Sequence, residues 1–276
     1  KLIKYNMVKK KQKLIGIGAG GHSNVIIDIL IENQEYEILG LIDKKINLNK
    51  GIPIIGKDKD LEGIYHKKTK NIFIGLAPLD NIKKNKNLYN KLKKIGFNII
   101  DVIHRTATLA KNIHSGEGLK VFAGSIINPG VVLGHNVLIN TGSIIEHDSK
   151  ISNHVQIAPG VVMGGGITVG ESSIIGLGSR VNQGITIGKN CIIGPYNVIN
   201  ANDHRILMKD KIIDRKFIYG DVIIEDNCWT GAFTSIAKNV LIKEGSVIGA
   251  HSFVNKSTEK LSINFGVPSK MFKFRD

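Results

Sequence analysis

VFAGSIINPGVVLGHNVLINTGSIIEHDSKISNHVQIAPGVVMGGGITVGESSIIGLGSRVNQGITIGKNCIIGPYNVIN, residues 121–200, decides the architecture. From Val121 onward every sixth residue is aliphatic: Val121, Ile127, Leu133, Ile139, Ile145, Ile151, Ile157, Met163, Val169, Ile175, Val181, Ile187, Ile193 and Ile199. With about one residue in three aliphatic, such a run in a fixed register arises by chance on the order of 10⁻⁷. Four positions after these residues stand small or branched ones, among them Ser125, Val131, Val137, Ser143, Ser149, Val155, Val161, Ser173, Ser179 and Cys191, which suit a narrow corner. The period is that of repetitive β-structure, whose units bury their apolar side only by stacking on one another.

The register stops after Ile199 and resumes at Ile224, Thr230, Ile236, Ile242, Ile248 and Val254. Between them lies NANDHRILMKDKIIDRKFIYGD, residues 200–221, charged and longer than an ordinary connection. A segment of that length in a compact fold is expected to be a functional loop thrown out from the repeats. Upstream the pattern differs. KLIGIG (13–18) is an apolar run ending in glycines, and Val25, Ile26, Ile29 and Leu30 after it fit one face of a helix. YEILGLID ends at Asp43, NIFIGL at Leu76, and a helical stretch with Leu88, Leu92 and Ile95 leads into FNIIDVI, 97–103. Four strands interleaved with helices predict a small parallel sheet. The expected organisation is an α/β Rossmann-like domain, residues 1–104, followed by an all-β domain of hexapeptide repeats, residues 105–276, with the loop at 200–221 inserted.

Composition agrees with repetitive β-structure: the chain has 31 Gly against 9 Phe and 1 Trp. The net charge of +15 is carried mostly by scattered lysines. It is read as a preference for phosphorylated small ligands together with compositional bias, with no nucleic-acid partner. The basic run MVKKKQK is read as a solvated leader, with Met7 a possible native start. Cys191 and Cys228 show no paired spacing and fall at the small core position of the repeat, which fits a reducing, cytoplasmic setting. No apolar stretch approaches 18 residues, so no membrane insertion is expected.

GAGGH (18–22) after the first strand, LID (41–43) closing the second, IEHD (145–148) within the repeats and GVPSK (266–270) near the end together resemble the hexapeptide-repeat acyltransferases. Within that family they resemble the branch typified by sialic-acid-type O-acetyltransferases and bacterial UDP-4-amino-sugar N-acetyltransferases. The resemblance implies a left-handed parallel β-helix of triangular section, a homotrimer with active sites between subunits, and acetyl-CoA as co-substrate without a metal. It also implies a nucleotide-linked amino sugar from bacterial surface-glycan biosynthesis as acceptor, with the hydroxyl of sialic acid or a related sugar as the alternative. NDHR (202–205) and EDNCWTGAFTSI (225–236) depart from the shorter members of that branch. They resemble instead the maltose, galactoside and xenobiotic acetyltransferases, whose loop histidine is the base.

Gly16 to Gly21 satisfies G-x-G-x-x-G between a strand and a helix, with Asp43 at the end of the next strand. Glycine permits close backbone approach and a helix N-terminus favours anions, so a phosphate-bearing ligand is expected. A dehydrogenase would need a catalytic domain where repeats follow, which favours a nucleotide sugar over NAD. The alternative is a turn that only packs the sheet. The resemblance places Gly20, Gly21 and His22 at the diphosphate, and Asp43 and Lys44 near the base. His147 lies two residues after Ile145; with three strands per coil, Gly165, Gln183 and Ala201 stack over it. Imidazole titrates near neutrality, which suits removal of a proton from an acceptor attacking a thioester. Asp148 or Glu146 is placed to orient the ring. The resemblance gives the base role to His147, the orienting role to Asp148 and a backbone contact with acetyl-CoA to Gly165; Gln183, stacked next on that column, is a further candidate CoA contact, and Lys270 of GVPSK is a candidate contact for the CoA 3′-phosphate.

His204, in the loop, is the rival base, three coils from His147 and about 14 Å along the axis. Trp229 is read as packing the loop where the repeat resumes, or as a stacking surface. His135 and His154 raise a zinc-bearing carbonic anhydrase of the same helix type, but no third histidine completes that spacing and such a lyase has no use for the first domain.

Overall fold

The computed structural model describes residues 11–44, 49–76, 82–205 and 216–275. Residues 7–10 of the basic leader, Met7 among them, and the middle of the inserted loop, 206–215, lie outside these. The chain divides into two compact units, 1–105 and 106–276.

The first unit has the elements β1 (Gln12–Ile17), α1 (Gly21–Asn33), β2 (Tyr36–Ile42), β3 (Ile54–Gly56), α2 (Leu61–Lys67), β4 (Asn71–Ile74), α3 (Ile82–Ile95) and β5 (Asn98–Ile99). The strands form one parallel sheet in the order β3-β2-β1-β4-β5. Its centre is fully buried at Leu14, Ile15, Ile42, Ile72 and Phe97, as near-continuous apolar strands require. The chain runs outward from β1 on one side and then the other, so the sheet reverses direction between β1 and β4. The turn Gly18–His22 leaves β1 at that reversal, where open α/β sheets bind ligands. The short β3 was not legible as a strand: only three residues long, it pairs beside β2 at the sheet edge. FNIIDVI is interrupted rather than continuous, with β5 ending at Ile99 and a separate two-residue strand at Val102–Ile103.

The second unit is a parallel β-helix. Pairing repeats every 18 residues on three faces: Ile145 with Met163, Ile151 with Val169, and Ile157 with Ile175. All fourteen repeat aliphatics are at most 3% exposed, so they are the core of the prism. Burial of each such side chain contributes about 1.5–3 kcal/mol. The small residues four places on are also buried, and their hydroxyls donate along the axis. Ser143 Oγ donates to the Ala158 carbonyl at 2.8 Å and Ser173 Oγ to Gly188 at 2.7 Å. Corners are turned by left-handed residues three places after an aliphatic, such as Gly130 (φ 75°), Asp148 (φ 59°) and Gly166 (φ 66°).

Past the loop, Ile187 pairs with Ile224 and Ile199 with Ile236, 37 positions on rather than 18. The loop is therefore an excursion from one coil. Its described ends form an antiparallel arm, Asn202–His204 against Phe217–Tyr219, closed at the base by the Gly220 N–H donating to the Ala201 carbonyl at 2.8 Å.

Candidate functional site

The repeat corner that carries IEHD brings two polar side chains together. His147 Nδ1 lies 2.8 Å from Asp148 Oδ2, both side chains well exposed. The left-handed corner swings the Asp148 carboxylate back onto its neighbour; Asp tolerates that conformation better than most side chains. A carboxylate only accepts, so Nδ1 carries the proton, and in the neutral ring Nε2 keeps the lone pair. Between the two acids that sequence left open, the ring is held by Asp148; Glu146 continues the coil through its backbone, its N–H donating to Met163.

Gly165 stacks over the imidazole. A Cβ on Gly165 would stand 2.6 Å from both Cε1 and Nε2 of His147, closer than any packed side chain sits. Its φ is not in the left-handed region, so the backbone itself does not demand glycine there. Among the described residues its N–H makes no hydrogen bond, whereas the neighbouring Gly166 N–H donates to the His147 carbonyl. The site thus offers a base and, one coil on, a backbone N–H that makes no hydrogen bond among the described residues. On the other side of the corner, Gly130 underlies Asp148 Oδ1, again leaving room where a side chain would collide.

Beyond Gly165 the same column carries Gln183 and Ala201, which line a cavity of about 460 Å³ with Tyr219, Gly220, Asp221 and Asn239. The base of the arm therefore walls this cavity, a feature that sequence did not reveal because it needs the arm's return strand. His204 is on the arm itself, exposed, its ring 4.4 Å from that of Phe217. Lys270 begins the strand Lys270–Phe274 and is exposed. Trp229 points outward from its strand at 52% exposure. His135 Nδ1 accepts the Glu117 N–H, and His154 is buried against Asn136. Among the described residues no three His, Cys, Asp or Glu side chains are grouped to hold a metal. Cys191 and Cys228 are both buried; the hydrogen bond to Cys228, together with burial, pushes the Cys191 thiol well above the ordinary range, so it is not a nucleophile.

In the first unit, Gly18 (φ 95°) needs glycine for its backbone, and Gly16 needs it because a Cβ would stand 2.7 Å from Leu41 Cδ2. Gly20 and Gly21 need it for neither reason: φ is −89° at Gly20, and a Cβ at either would meet nothing within 4 Å. The Ala19 N–H donates to Asp43 Oδ2 at 2.8 Å, and Asn49 Nδ2 donates to the Ala19 carbonyl at 3.0 Å and to Asn24 Oδ1 at 2.7 Å. Asp43 thus braces the turn. His22 is half-buried at the start of α1, and Lys44 is exposed just beyond Asp43.

Two family models match the chain: the PglD N-terminal domain over residues 13–92, and the bacterial transferase hexapeptide (six repeats) over residues 221–256. Residues 13–92 are thus similar to the PglD N-terminal domain and residues 221–256 to hexapeptide repeats. PerB from Caulobacter crescentus, solved with CoA and GDP-perosamine, superposes with a TM-score of 0.60 at 21% identity, covering 94% of this chain and 97% of that one. The acetyltransferase domain of PglB from Neisseria gonorrhoeae, solved with acetyl coenzyme A, also gives 0.60 at 21% identity, over 95% and 100%. These likenesses show the fold, an α/β domain followed by a left-handed β-helix. Among curated proteins, a 2,3,4,5-tetrahydropyridine-2,6-dicarboxylate N-succinyltransferase of Wolbachia sp. subsp. Brugia malayi is 53% identical over 38 residues. The match spans 14% of this chain and 14% of that relative. No helix among the described residues is long and apolar enough to cross a membrane.

Proposed function

We propose that this protein transfers an acetyl group from acetyl-CoA to the amine of a nucleotide-linked amino sugar in bacterial surface-glycan biosynthesis, as a cytoplasmic homotrimer. The observation that carries the reading is the 2.8 Å pair of His147 Nδ1 with Asp148 Oδ2 beneath the bare backbone of Gly165. The amine attacks the thioester carbonyl while Nε2 of His147 takes its proton. The developing imidazolium is stabilised by Asp148. The Gly165 N–H, free of other hydrogen bonds among the described residues, is placed to meet the thioester group as charge develops on it. The new C–N bond forms as the C–S bond breaks, and CoA leaves as the thiolate, which recovers a proton from the imidazolium.

The nucleotide half of the acceptor is assigned to the first unit. Glycines at Gly20 and Gly21 that neither backbone nor packing requires leave the N-terminus of α1 bare, the arrangement a diphosphate uses. Solved proteins of the same fold hold CoA with GDP-perosamine, which supports a donor and an acceptor of these classes. A second reading, O-acetylation of sialic acid or a related sugar hydroxyl, is favoured by one feature: the exposed histidine on the arm, His204, whose ring lies 4.4 Å from that of Phe217. A thiol-release assay with acetyl-CoA over a panel of nucleotide-linked amino sugars and free sialic acids tests both. Release with the amines alone supports the first, release with the hydroxyls alone the second, and no release with any acceptor sinks both in favour of a non-catalytic nucleotide-sugar sensor.

A further inference from the structure

In the first unit the sheet sorts the charges. Residues 19–43, from the turn through α1 to the end of β2, hold five acids, Asp28, Glu32, Glu35, Glu37 and Asp43, and no lysine or arginine. The stretches 57–70 and 82–95, which carry α2 and α3, hold eleven lysines against three acids, Asp58, Asp60 and Glu62. These two helices share one face of the sheet: a single core cluster joins Leu61 and Ile64 of α2 to Tyr89 and Leu92 of α3 over Ile15, Ile17 and Ile72, and among the described residues it includes none from α1. Right-handed crossovers agree, because β1 to β2 and β4 to β5 run in opposite directions across the sheet and so put α1 and α3 on opposite faces. The lysines that read as scattered along the chain are therefore gathered on one layer. A uniform compositional bias would not leave the other stretch without any.

On α3 the sorting is complete, with six lysines and no acid in 14 residues. Asn85, Tyr89 and Leu92 turn into the core, so Lys83, Lys91 and Lys94 stand on the opposite side of the helix, and all three are exposed. Lys91 Nζ donates to the Asp58 carbonyl at 3.0 Å, which joins the lysines of α3 to those at the start of α2. Lys57, Lys59, Lys67, Lys68, Lys83 and Lys94 are exposed and make no ion pair among the described residues. Of the acids on this layer, Asp60 accepts the Lys57 N–H at 2.8 Å. The ion pairs of Asp28 with Lys50 and of Glu32 with Arg105 belong instead to α1. Neither lysine-bearing stretch contains an arginine or an exposed Phe, Tyr or Trp.

We propose that the α2–α3 layer docks this protein on an anionic membrane surface. Lysines gathered on one layer add their attractions to such a surface, and point charges on flexible stems need no matching shape. The apolar side of α3 is packed in the core, so nothing is left to insert and the docking is peripheral; no helix among the described residues is built to cross a membrane. A folded protein partner takes an apolar or aromatic centre, and a single-stranded polynucleotide takes aromatic platforms for its bases. This layer offers neither, which favours the bilayer. The face that carries α1, with the Gly18–His22 turn at its start, stays open when the opposite layer is docked. The docking does not depend on the acetyl-transfer reading.

Co-sedimentation of the full chain with phosphatidylcholine vesicles, with and without added phosphatidylglycerol, tests the docking. The wild type is expected to bind only the vesicles that contain phosphatidylglycerol and to be released as salt is raised. The triple variant Lys83→Gln, Lys91→Gln, Lys94→Gln should bind them roughly 100-fold more weakly. A matched variant, Lys111→Gln, Lys150→Gln, Lys189→Gln, removes the same charge from exposed positions of the second unit and should bind as the wild type does. Circular dichroism and thermal melting check that each is folded; should the first not be, Lys67→Gln with Lys68→Gln on α2 carries the same expectation at roughly tenfold or more. Equal losses in the two triple variants, equal binding to both kinds of vesicle, or binding to neither overturns the docking. So does an oligonucleotide that binds the wild type while the anionic vesicles do not, which would assign the layer to nucleic acid.

Discussion

Gly165 in the prism and Gly20–Gly21 in the first unit are alike in sequence, glycines at positions whose backbone any residue adopts, yet they are empty for opposite reasons. At Gly165 the protein itself occupies the space: a Cβ would stand 2.6 Å from the His147 ring. At Gly20 and Gly21 nothing in the protein comes within 4 Å of the same atom. A glycine crowded by a functional side chain is explained from inside the fold. One facing open space is explained by what arrives there. The first kind protects a geometry, and the second reserves a volume, so substitutions at the two should fail in different ways.

The largest effect belongs to the side chain that Gly165 accommodates. His147→Ala should lower turnover by roughly 10²- to 10⁴-fold with nucleotide-sugar affinity intact, read by steady-state kinetics and calorimetry. If His204→Ala has the larger effect, the base is on the arm. Gly165→Val should lower kcat by roughly 10- to 100-fold by displacing the ring. Added to His147→Ala, the same substitution should cost almost nothing further, a non-additivity that a simple loss of stability does not produce. Asp148→Asn should lower kcat by roughly tenfold or more and leave the binding of both substrates unchanged, because it removes the negative charge and lets an amide N–H face the ring, so the tautomer is no longer fixed.

Gly21→Ala should separate function from stability. Alanine there meets no clash and starts α1 better, so thermal stability holds or rises by about 0.5–1 kcal/mol. Nucleotide-sugar affinity should nonetheless fall by roughly tenfold as the new methyl group occupies the phosphate approach. Unchanged affinity in the alanine variant would place the ligand elsewhere and make the turn structural. The smallest effect is at the cysteines. Buried at consecutive coils, Cys191 and Cys228 should react with an aromatic disulfide reagent only upon unfolding, with turnover unaffected beforehand.

The prism was legible almost residue by residue because its rule is one-dimensional. An aliphatic every sixth position and a three-strand coil fix which residues stack, and His147, Gly165, Gln183 and Ala201 follow by addition. What sequence left open needed a direction rather than a spacing. Glu146 and Asp148 flank His147 equally in the chain, and only the left-handed corner at Asp148 (φ 59°) turns one of them onto the ring. Trp229 has the composition of a packing residue, but it occupies the outward position of its strand, which period alone does not distinguish by size. The short strand Ile54–Gly56 carries too few residues for any alternation to be read, and its place is set by β2. The wall that Tyr219 and Asp221 give the cavity at Gln183 depends on the arm returning beside Ala201, a pairing with no trace in local pattern.

The excursion after Ile199 has a consequence for how such a scaffold diversifies. Because Ile187 meets Ile224 and Ile199 meets Ile236 in the register of uninterrupted coils, the rungs above and below it close on each other as though nothing intervened. Ala201 and Gly220 then act as a socket, bridged by a single 2.8 Å contact. Whatever is plugged between them can be exchanged, lengthened or trimmed while the aliphatic stack keeps its packing, so substrate range is free to drift on a frame that does not.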